Sequence, residues 1–437
     1  MKLRALIASA SVCILPGAAR AQTIDTTATP ISLTEAVRLA QRNSITTVQA
    51  RGNIRTTEAA VKQSYAAFLP SFSVSAGRQR QSGDRFDTQG NLVPFTGNPT
   101  NYSTGLQSSL QLFDGGRRFF DLKRSKADVD AAEAGETASR FQIALQVKQQ
   151  YYNILAARES ESAAQAQMQQ AEQQLRSSSL RLRAGAATVS DSLRSVVALG
   201  NARLALLTAR NNLSVANATL TRLVASPQTV TATTSDTLDQ VVVIPSLAEL
   251  EPLVSRAPAI QQADAELDAA HASLRSAKTS YLPTINMNFN RSGSGLDPRF
   301  GMGDERYAYN QNLSFSLNFP LFNNLTREVN VARAIVAEDV AEVALRDARF
   351  LARQTLVQSV GQMRTAREQV EIQTVSVAAA TEDLRVQQRR YELGATTLLD
   401  LLTSQTQLDN ARTALIRARY DYRVAKAQLE ALIGRDL

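Results

Sequence analysis

The chain has 437 residues, a formal net charge of +8 and a mean hydropathy of −0.19, with 44% hydrophobic and 20% charged residues. One cysteine (Cys13) and one histidine (His271) leave no ligand set for a zinc or thiolate site, and only seven of the 48 basic residues are lysine. The arginines are interspersed with acids along helical segments, which argues for solvated faces and against a nucleic-acid patch.

Lys2 and Arg4, the apolar stretch Ala5 to Leu15 and the small-x-small triplet Ala19-Arg20-Ala21 predict a signal peptide over 1–21, with a mature chain from Gln22 carrying +5. Cys13 falls inside it, and Ala10-Ser11-Val12 lacks the leucine of a lipidation signal, so an unlipidated, thiol-free mature protein is expected. No run of 18 apolar residues follows, which excludes an ordinary transmembrane helix but not a barrel, whose strands alternate.

Ser32 with Glu35 has the form of a capping box opening a helix that leads to Phe68-Leu69-Pro70. Strands are expected over 69–80 and 101–113, with Phe72, Val74 and Ala76 opposing Ser71, Ser73 and Ser75, and Leu106, Leu110 and Leu112 opposing Gln107, Ser109 and Gln111. The segment Gln81 to Thr100 between them contains glycine and proline and reads as a surface loop. A helical hairpin follows over 117–225: a proline-free rod from Arg117 to Arg183, about 100 Å long at about 1.5 Å per residue, a turn at Gly185 and a return helix to about Leu223.

Residues 231–258 read as a connection with one short strand near Val241 to Ile244. Ser246 with Glu249 then opens a second helix, strands are expected over 283–291 and 309–322 around the loop Ser292 to Ala308, and a second hairpin spans 325–434. Its rod, Leu325 to Leu393, carries a seam of Val329, Ala332, Val336, Val340, Val343, Leu345, Leu351, Leu356 and Val360 for neighbouring helices and turns at Gly394.

The chain is thus written twice. LRSSSLRLRAGAATVSD at 175–191 returns 209 residues later as LRVQQRRYELGATTLLD at 384–400, and Leu112-Phe113 returns as Leu321-Phe322. A period above 200 residues is too long for a solenoid unit. It indicates one structural half duplicated, over 22–230 and 245–437. Four strands cannot close a barrel, and an open edge in lipid leaves backbone groups unpaired at several kcal/mol each, so membrane-spanning strands here require oligomerisation. Two copies give a filled eight-stranded barrel, whereas three give twelve strands and begin to leave a lumen.

From Ser32 to Gly434 the chain resembles the outer-membrane efflux protein family, the TolC-like proteins, most specifically at Arg183-Ala184-Gly185 to Asp191, at Tyr391-Glu392-Leu393-Gly394 to Asp400-Leu401-Leu402, and at the Leu-Pro strand entries. The resemblance implies a mainly α fold with a small β part: long antiparallel hairpins forming a periplasmic α-barrel, and four strands per chain closing as a twelve-stranded outer-membrane barrel in a homotrimer. The implied function is that of a channel-tunnel in a tripartite efflux or type I secretion system, in contact with outer-membrane lipid, a periplasmic adaptor (membrane fusion protein) and an inner-membrane transporter.

Each tip has a hydroxyl three residues before a carboxylate, Thr188 with Asp191 and Thr397 with Asp400, which serve as helix caps worth about 1 kcal/mol. Three copies converging on an axis would also set those carboxylates around a cation-responsive entrance. By resemblance Asp400 belongs to an acidic gate ring and Tyr391 with Asp191 to a hydrogen-bonded pair, so that Tyr391→Phe is expected to raise conductance. Thr396 and Thr403 stand where relatives place a basic gate residue and a second ring aspartate. Gly185 and Gly394, with Arg183 and Arg390 and the neighbouring Arg181 and Arg389, are the expected adaptor-docking surface. They also fit glycine C-caps with basic last turns.

No enzyme is expected: His271, with Asp264, Glu266 and Asp268 nearby, has no second nitrogen or sulfur ligand, and neither a phosphate loop nor a nucleophile with its base occurs. No cofactor, no metal and no nucleic-acid partner are implied. The competing reading is a periplasmic coiled-coil adaptor or scaffold, which shares the hairpins but needs neither the four alternating strands nor the duplication.

Overall fold

A computed structural model describes residues 28–80, 82–94, 100–233, 246–296, 298 and 307–435. The signal segment and Val241 to Ile244 lie outside these residues. The first half runs β1 (Thr29–Ile31), α1 (Leu33–Asn43), α2 (Ile45–Ala66), β2 (Ser71–Arg80), a small hairpin of β3 (Asp84–Phe86) and β4 (Leu92–Pro94), β5 (Thr100–Phe113), α3 (Arg117–Arg183) and α4 (Val189–Val224). After β6 (Val230–Ala232) the second half runs α5 (Leu247–Val254), α6 (Pro258–Lys278), β7 (Thr284–Gly295), β8 (Tyr307–Asn318), α7 (Thr326–Glu392) and α8 (Leu398–Ile433). The duplication is visible in the lengths: α3 and α7 are 67 residues each, and α4 and α8 are 36 each.

Several boundaries depart from the sequence expectation. The helix before each Leu-Pro site is two helices. Ser44 adopts an extended backbone between α1 and α2, and Ala257, pushed out of helical geometry by Pro258, precedes α6. At the first cap Ser32 Oγ accepts from Glu35 N (3.3 Å), but the Glu35 carboxylate turns to Arg38 at 2.7 Å instead of closing the box. β2 starts at Ser71, β7 runs on to Gly295, and β8 stops at Asn318, so Phe319 to Phe322 leave the sheet. The first loop contains the β3–β4 hairpin where a plain loop was expected.

The connection forms a strand at Val230–Ala232, parallel to β1. Tyr151 of α3 fastens this pair, donating to the Ile31 carbonyl (3.1 Å) and accepting from Thr233 N (3.1 Å), while Arg158 donates to the Thr233 (3.1 Å) and Ala232 carbonyls. Two equivalent cores sit partway along the rods. One gathers Ala36 and Ala40 of α1 with Ile143, Val147 and Leu155 of α3 and Leu220 and Val224 of α4; the other gathers Leu250 and Val254 of α5 with Leu345, Leu356 and Val360 of α7 and Tyr422 and Leu429 of α8. Of the expected α7 seam, Leu345, Leu356 and Val360 are buried, whereas Val329, Val336, Val340, Val343 and Leu351 are exposed.

The larger sheet has the order β2-β5-β7-β8, antiparallel throughout. Directly paired residues share a face. One face therefore joins Phe72, Val74, Leu106, Leu110, Met287, Phe289, Leu313, Phe315 and Leu317, and the other joins Ser71, Ser73, Ser75, Gln107, Ser109, Asn286, Asn288, Asn290, Asn312, Ser314 and Ser316. The sheet is a single layer: Phe72 is 72% exposed, Val74 81% and Leu317 69%.

Sheet and rods meet at two matching junctions. Asp114, buried, accepts from Gly116 N (3.0 Å), Arg118 N (3.0 Å) and Arg118 Nε (2.8 Å), and the Arg118 guanidinium lies 5.0 Å from the Phe68 ring. In the second half Arg327 lies 4.2 Å from the Tyr281 ring and donates to the Pro320 carbonyl (3.2 Å). The turn requires left-handed backbone, at Gly115 and Gly116 in the first half but at Asn324 (φ 55°) and Leu325 (φ 60°) in the second.

Gly115→Ala places a Cβ 2.8 Å from Leu282 Cβ in addition to the backbone strain and is expected to cost about 1–3 kcal/mol. Leu325→Gly, which relieves a strained backbone, is expected to be neutral or stabilising by up to about 1 kcal/mol. Thermal unfolding in detergent reads both, and equal destabilisation by the two would refute this account of the junction.

Candidate functional site at the helical tips

The tips lie at the far ends of the rods from the sheet. At the first, Ala186 N–H donates to the Arg181 carbonyl (2.8 Å) and Gly185 N–H to the Leu182 carbonyl (3.0 Å), with Gly185 at φ 73°. Ala395 to Arg390 (2.8 Å) and Gly394 to Tyr391 (3.1 Å) repeat this, again with φ 73°. This is the paired C-cap that a glycine closes. A Cβ on either glycine would meet nothing within 4 Å, so backbone conformation and not space selects glycine there.

Both hydroxyl–carboxylate pairs form reciprocal caps. Asp191 N donates to Thr188 Oγ1 (3.2 Å), while Asp191 Oδ2 accepts from Thr188 N (3.2 Å) and the Thr188 hydroxyl (2.8 Å). Asp400 does the same with Thr397 (3.2, 3.1 and 2.7 Å) and also accepts from the Thr396 hydroxyl at 2.9 Å. The Thr397 hydroxyl, its backbone N–H, Thr396 and the nearby charge of Arg390 together hold the Asp400 carboxyl below the usual aspartate range. Thr396, expected at a basic gate position, thus completes the nest around Asp400. In the first tip the repeat puts Ala187 there.

The Tyr391 to Asp191 hydrogen bond expected from the resemblance is not made within the chain. Asp191 is taken up by its own cap. Tyr391 packs on the small core of Leu384, Leu398, Leu401 and Leu408, and its ring is covered by the Arg181 guanidinium at 4.6 Å, with Arg181 Nη1 also donating to the Tyr391 carbonyl at 3.2 Å. Arg181 therefore ties the first hairpin to the second. Arg183 and Arg390 are exposed, Arg390 donating weakly to the Ala395 carbonyl (3.4 Å), and Arg389 pairs with Glu392 at 3.1 Å. The Thr403 hydroxyl bonds back to the Leu399 carbonyl (2.9 Å).

Sequence reasoning passed over Asp409. It lines a cavity of about 630 Å³ with Gln167, Gln170, Arg194, Asn201 and Gln405, and burial raises its carboxyl above the usual range, against the opposing charge of Arg412 and a hydrogen bond from Gln167. The available signal was the divergence of the repeat, which has Gly200 at the corresponding place.

These rods, tips and strands have counterparts among known proteins. The family model described as "Outer membrane efflux protein" matches residues 36–226 and 250–435, one segment in each half. The chain belongs to that family. Outer membrane efflux protein BepC of Brucella suis is 24% identical over 412 residues, covering 92% of this chain and 85% of the relative, and Protein CyaE of Bordetella pertussis is 27% identical over 389 residues, covering 87% and 79%. The crystal structure of CusC superposes with a TM-score of 0.80 at 18% identity over 93% of this chain and 94% of that one. The open-state MtrE outer membrane channel of Neisseria gonorrhoeae gives 0.76 at 20% identity over 92% and 89%. At such identities the structural likeness establishes the family's fold.

Since within one chain the ring of Tyr391 and not its hydroxyl carries the contact to Arg181, Tyr391→Phe is expected to leave channel conductance near the parent value, while Tyr391→Leu and Arg181→Gln, which forfeit a contact of about 0.5–2 kcal/mol, raise it. Planar-bilayer recordings decide the point. A rise with Tyr391→Phe equal to that with Tyr391→Leu would return the lock to the hydroxyl.

Proposed function

We propose that three copies of the chain form an outer-membrane duct that receives substrate at the helical tips from a periplasmic adaptor and an inner-membrane transporter and releases it through the barrel. The observation that carries this reading is the single-layer sheet. Among the described residues its apolar face is bare, and its first and last strands, β2 and β8, run in opposite directions with unpaired outer edges. Head-to-tail copies joined β8 to β2 keep the antiparallel alternation, remove every edge and close a ring of twelve strands with the amide and hydroxyl face inward. The exposed Val329, Val336, Val340 and Val343 of α7 and Leu193, Val196, Val197, Leu204 and Leu207 of α4 then become contacts between neighbouring rods. A soluble adaptor or scaffold has no use for the bare apolar face, and nothing in the family match favours it.

In this assembly Asp191 and Asp400 supply negative charge at the entrance, Arg181 with Tyr391 holds the two hairpins of a chain together, and the exposed tips around Arg183, Gly185, Arg390 and Gly394 meet the adaptor. The duct conducts passively.

Light scattering of protein extracted from outer membranes, with the detergent contribution subtracted, is expected to give three times the mass of one mature chain. A monomer recovered without detergent would sink the duct. In bilayers, Asp400→Asn is expected to reduce cation preference several-fold. Because its caps hold the Asp400 carboxyl below the usual aspartate range, its charge is lost at a lower pH than that of an ordinary aspartate, so the parent channel is expected to keep its cation preference in mild acid. Reversal potentials measured across a salt gradient at falling pH test this, and a preference already lost in mild acid would assign the filter elsewhere.

A further inference from the structure

The four strands of the large sheet contain three charged residues, Arg78, Arg80 and Arg291, and no acid. All three fall on the apolar face. Arg78 and Arg80 continue the alternation of Phe72, Val74 and Ala76, and Arg291 continues that of Met287 and Phe289 and pairs across the sheet with Leu106 and Gln311. The opposite face has none. Arg78 and Arg80 close β2 at the end farthest from the rods, and Arg291 lies on β7, two strands or about 10 Å across the sheet and, being in register with Val74 through Leu106, about 13 Å nearer the rods than Arg78.

Tyrosines share this end and this face. Arg78 pairs with Tyr102, its guanidinium 5.9 Å from the ring, and Arg291 stacks at 4.8 Å over Tyr309. Tyr309 lies flat because its cross-strand partner is Gly293, where a Cβ would come within 2.7 Å of the ring. Tyr307 sits beside it at 5.8 Å. Among the described residues no carboxylate forms an ion pair with Arg78, Arg80 or Arg291.

An arginine on a lipid-facing strand costs about 2–4 kcal/mol at the bilayer midplane and about 0–1 at the interface, so arginines among tyrosines toward the far end of this face mark the headgroup side of the sheet. Water alone would favour either face equally. Guanidinium groups laid over aromatic rings, with their forked donors unspent, match phosphate oxygens two at a time.

We propose that the outward face at the extracellular end of the sheet is a binding site for the phosphate groups of an outer-leaflet glycolipid, held by Arg78, Arg80 and Arg291. The apolar band of Phe72, Phe289, Leu110 and Met287, nearer the rods than all three arginines, receives the acyl chains, which selects a membrane lipid over free phosphate as the occupant. The site rests on the barrel reading above, since only in a membrane does this face meet lipid. A threefold ring would repeat it three times around the barrel.

The test reconstitutes the full chain into phosphatidylcholine vesicles containing either lipid A or the same glycolipid with its phosphates removed, re-extracts it in neutral detergent, and measures retained glycolipid by native mass spectrometry. The parent is expected to retain the phosphorylated form preferentially, and Arg78→Gln, Arg80→Gln and Arg291→Gln together to abolish the preference, at about fivefold in affinity per arginine. Equal retention of the two glycolipids, or a preference that survives the triple substitution, overturns the site while leaving the barrel intact. A protein that does not enter phosphatidylcholine vesicles at all overturns the barrel and the site with it. Should the triple variant fail to assemble, Arg80→Gln and Arg291→Gln singly carry the same comparison.

Discussion

Backbone amides and carbonyls cannot be left unpaired in hydrocarbon, and the architecture follows from that constraint. A chain contributing four strands satisfies it only by giving its two edges to copies of itself. In the proposed duct, oligomerisation is therefore part of the fold's own requirement and not an addition to a finished subunit. The rods show the same incompleteness: the sheet-side part of the α7 seam and the outer face of α4 carry valines and leucines that none of the described elements of the chain covers. The proposed ring of neighbours would meet both deficits.

Within the subunit, strand and rod are joined by short turns carrying large leverage, because a small angular error at the junction is multiplied along about 100 Å of helix. The junctions are accordingly over-determined. Arg118 binds Asp114, the Ala67 carbonyl and the Phe68 ring at once, and Arg327 does likewise with Pro320 and Tyr281. That the second half holds Leu325 in a left-handed conformation where the first uses glycine shows that surrounding contacts fix the backbone there.

The long helices, the main strands and their alternation were legible in the sequence because each rests on a periodic signal repeated over many residues, and α3 was delimited from Arg117 to Arg183 by its flanking glycines. The short parallel pair of β1 and β6 was not. Three residues are too few to show a period, and the partner strands are about 200 positions apart, held by Tyr151 and Arg158 from a third element. The break at Ser44 was hidden because serine is tolerated within helices, whereas Pro258 was a signal available and unread. At the tips, local chemistry was legible: Thr188 with Asp191 and Thr397 with Asp400 cap as their spacing requires. The Arg181 and Tyr391 contact was not, because it joins two hairpins 210 positions apart and the basic last turn already accounted for the arginine.

The equal lengths of the two hairpins, 67 and 36 residues in each half, bear on how such a chain can change over time. Deleting one residue from α3 alone would draw its tip back by about 1.5 Å and turn everything beyond the deletion by about 100° about the helix axis, moving Arg181 off the ring of Tyr391. Insertions and deletions in the rods are therefore expected as whole helical repeats, balanced on the ascending and descending limbs and copied into the other half. Surface substitutions face no such bookkeeping, so sequence can drift widely along these helices while their length stays fixed.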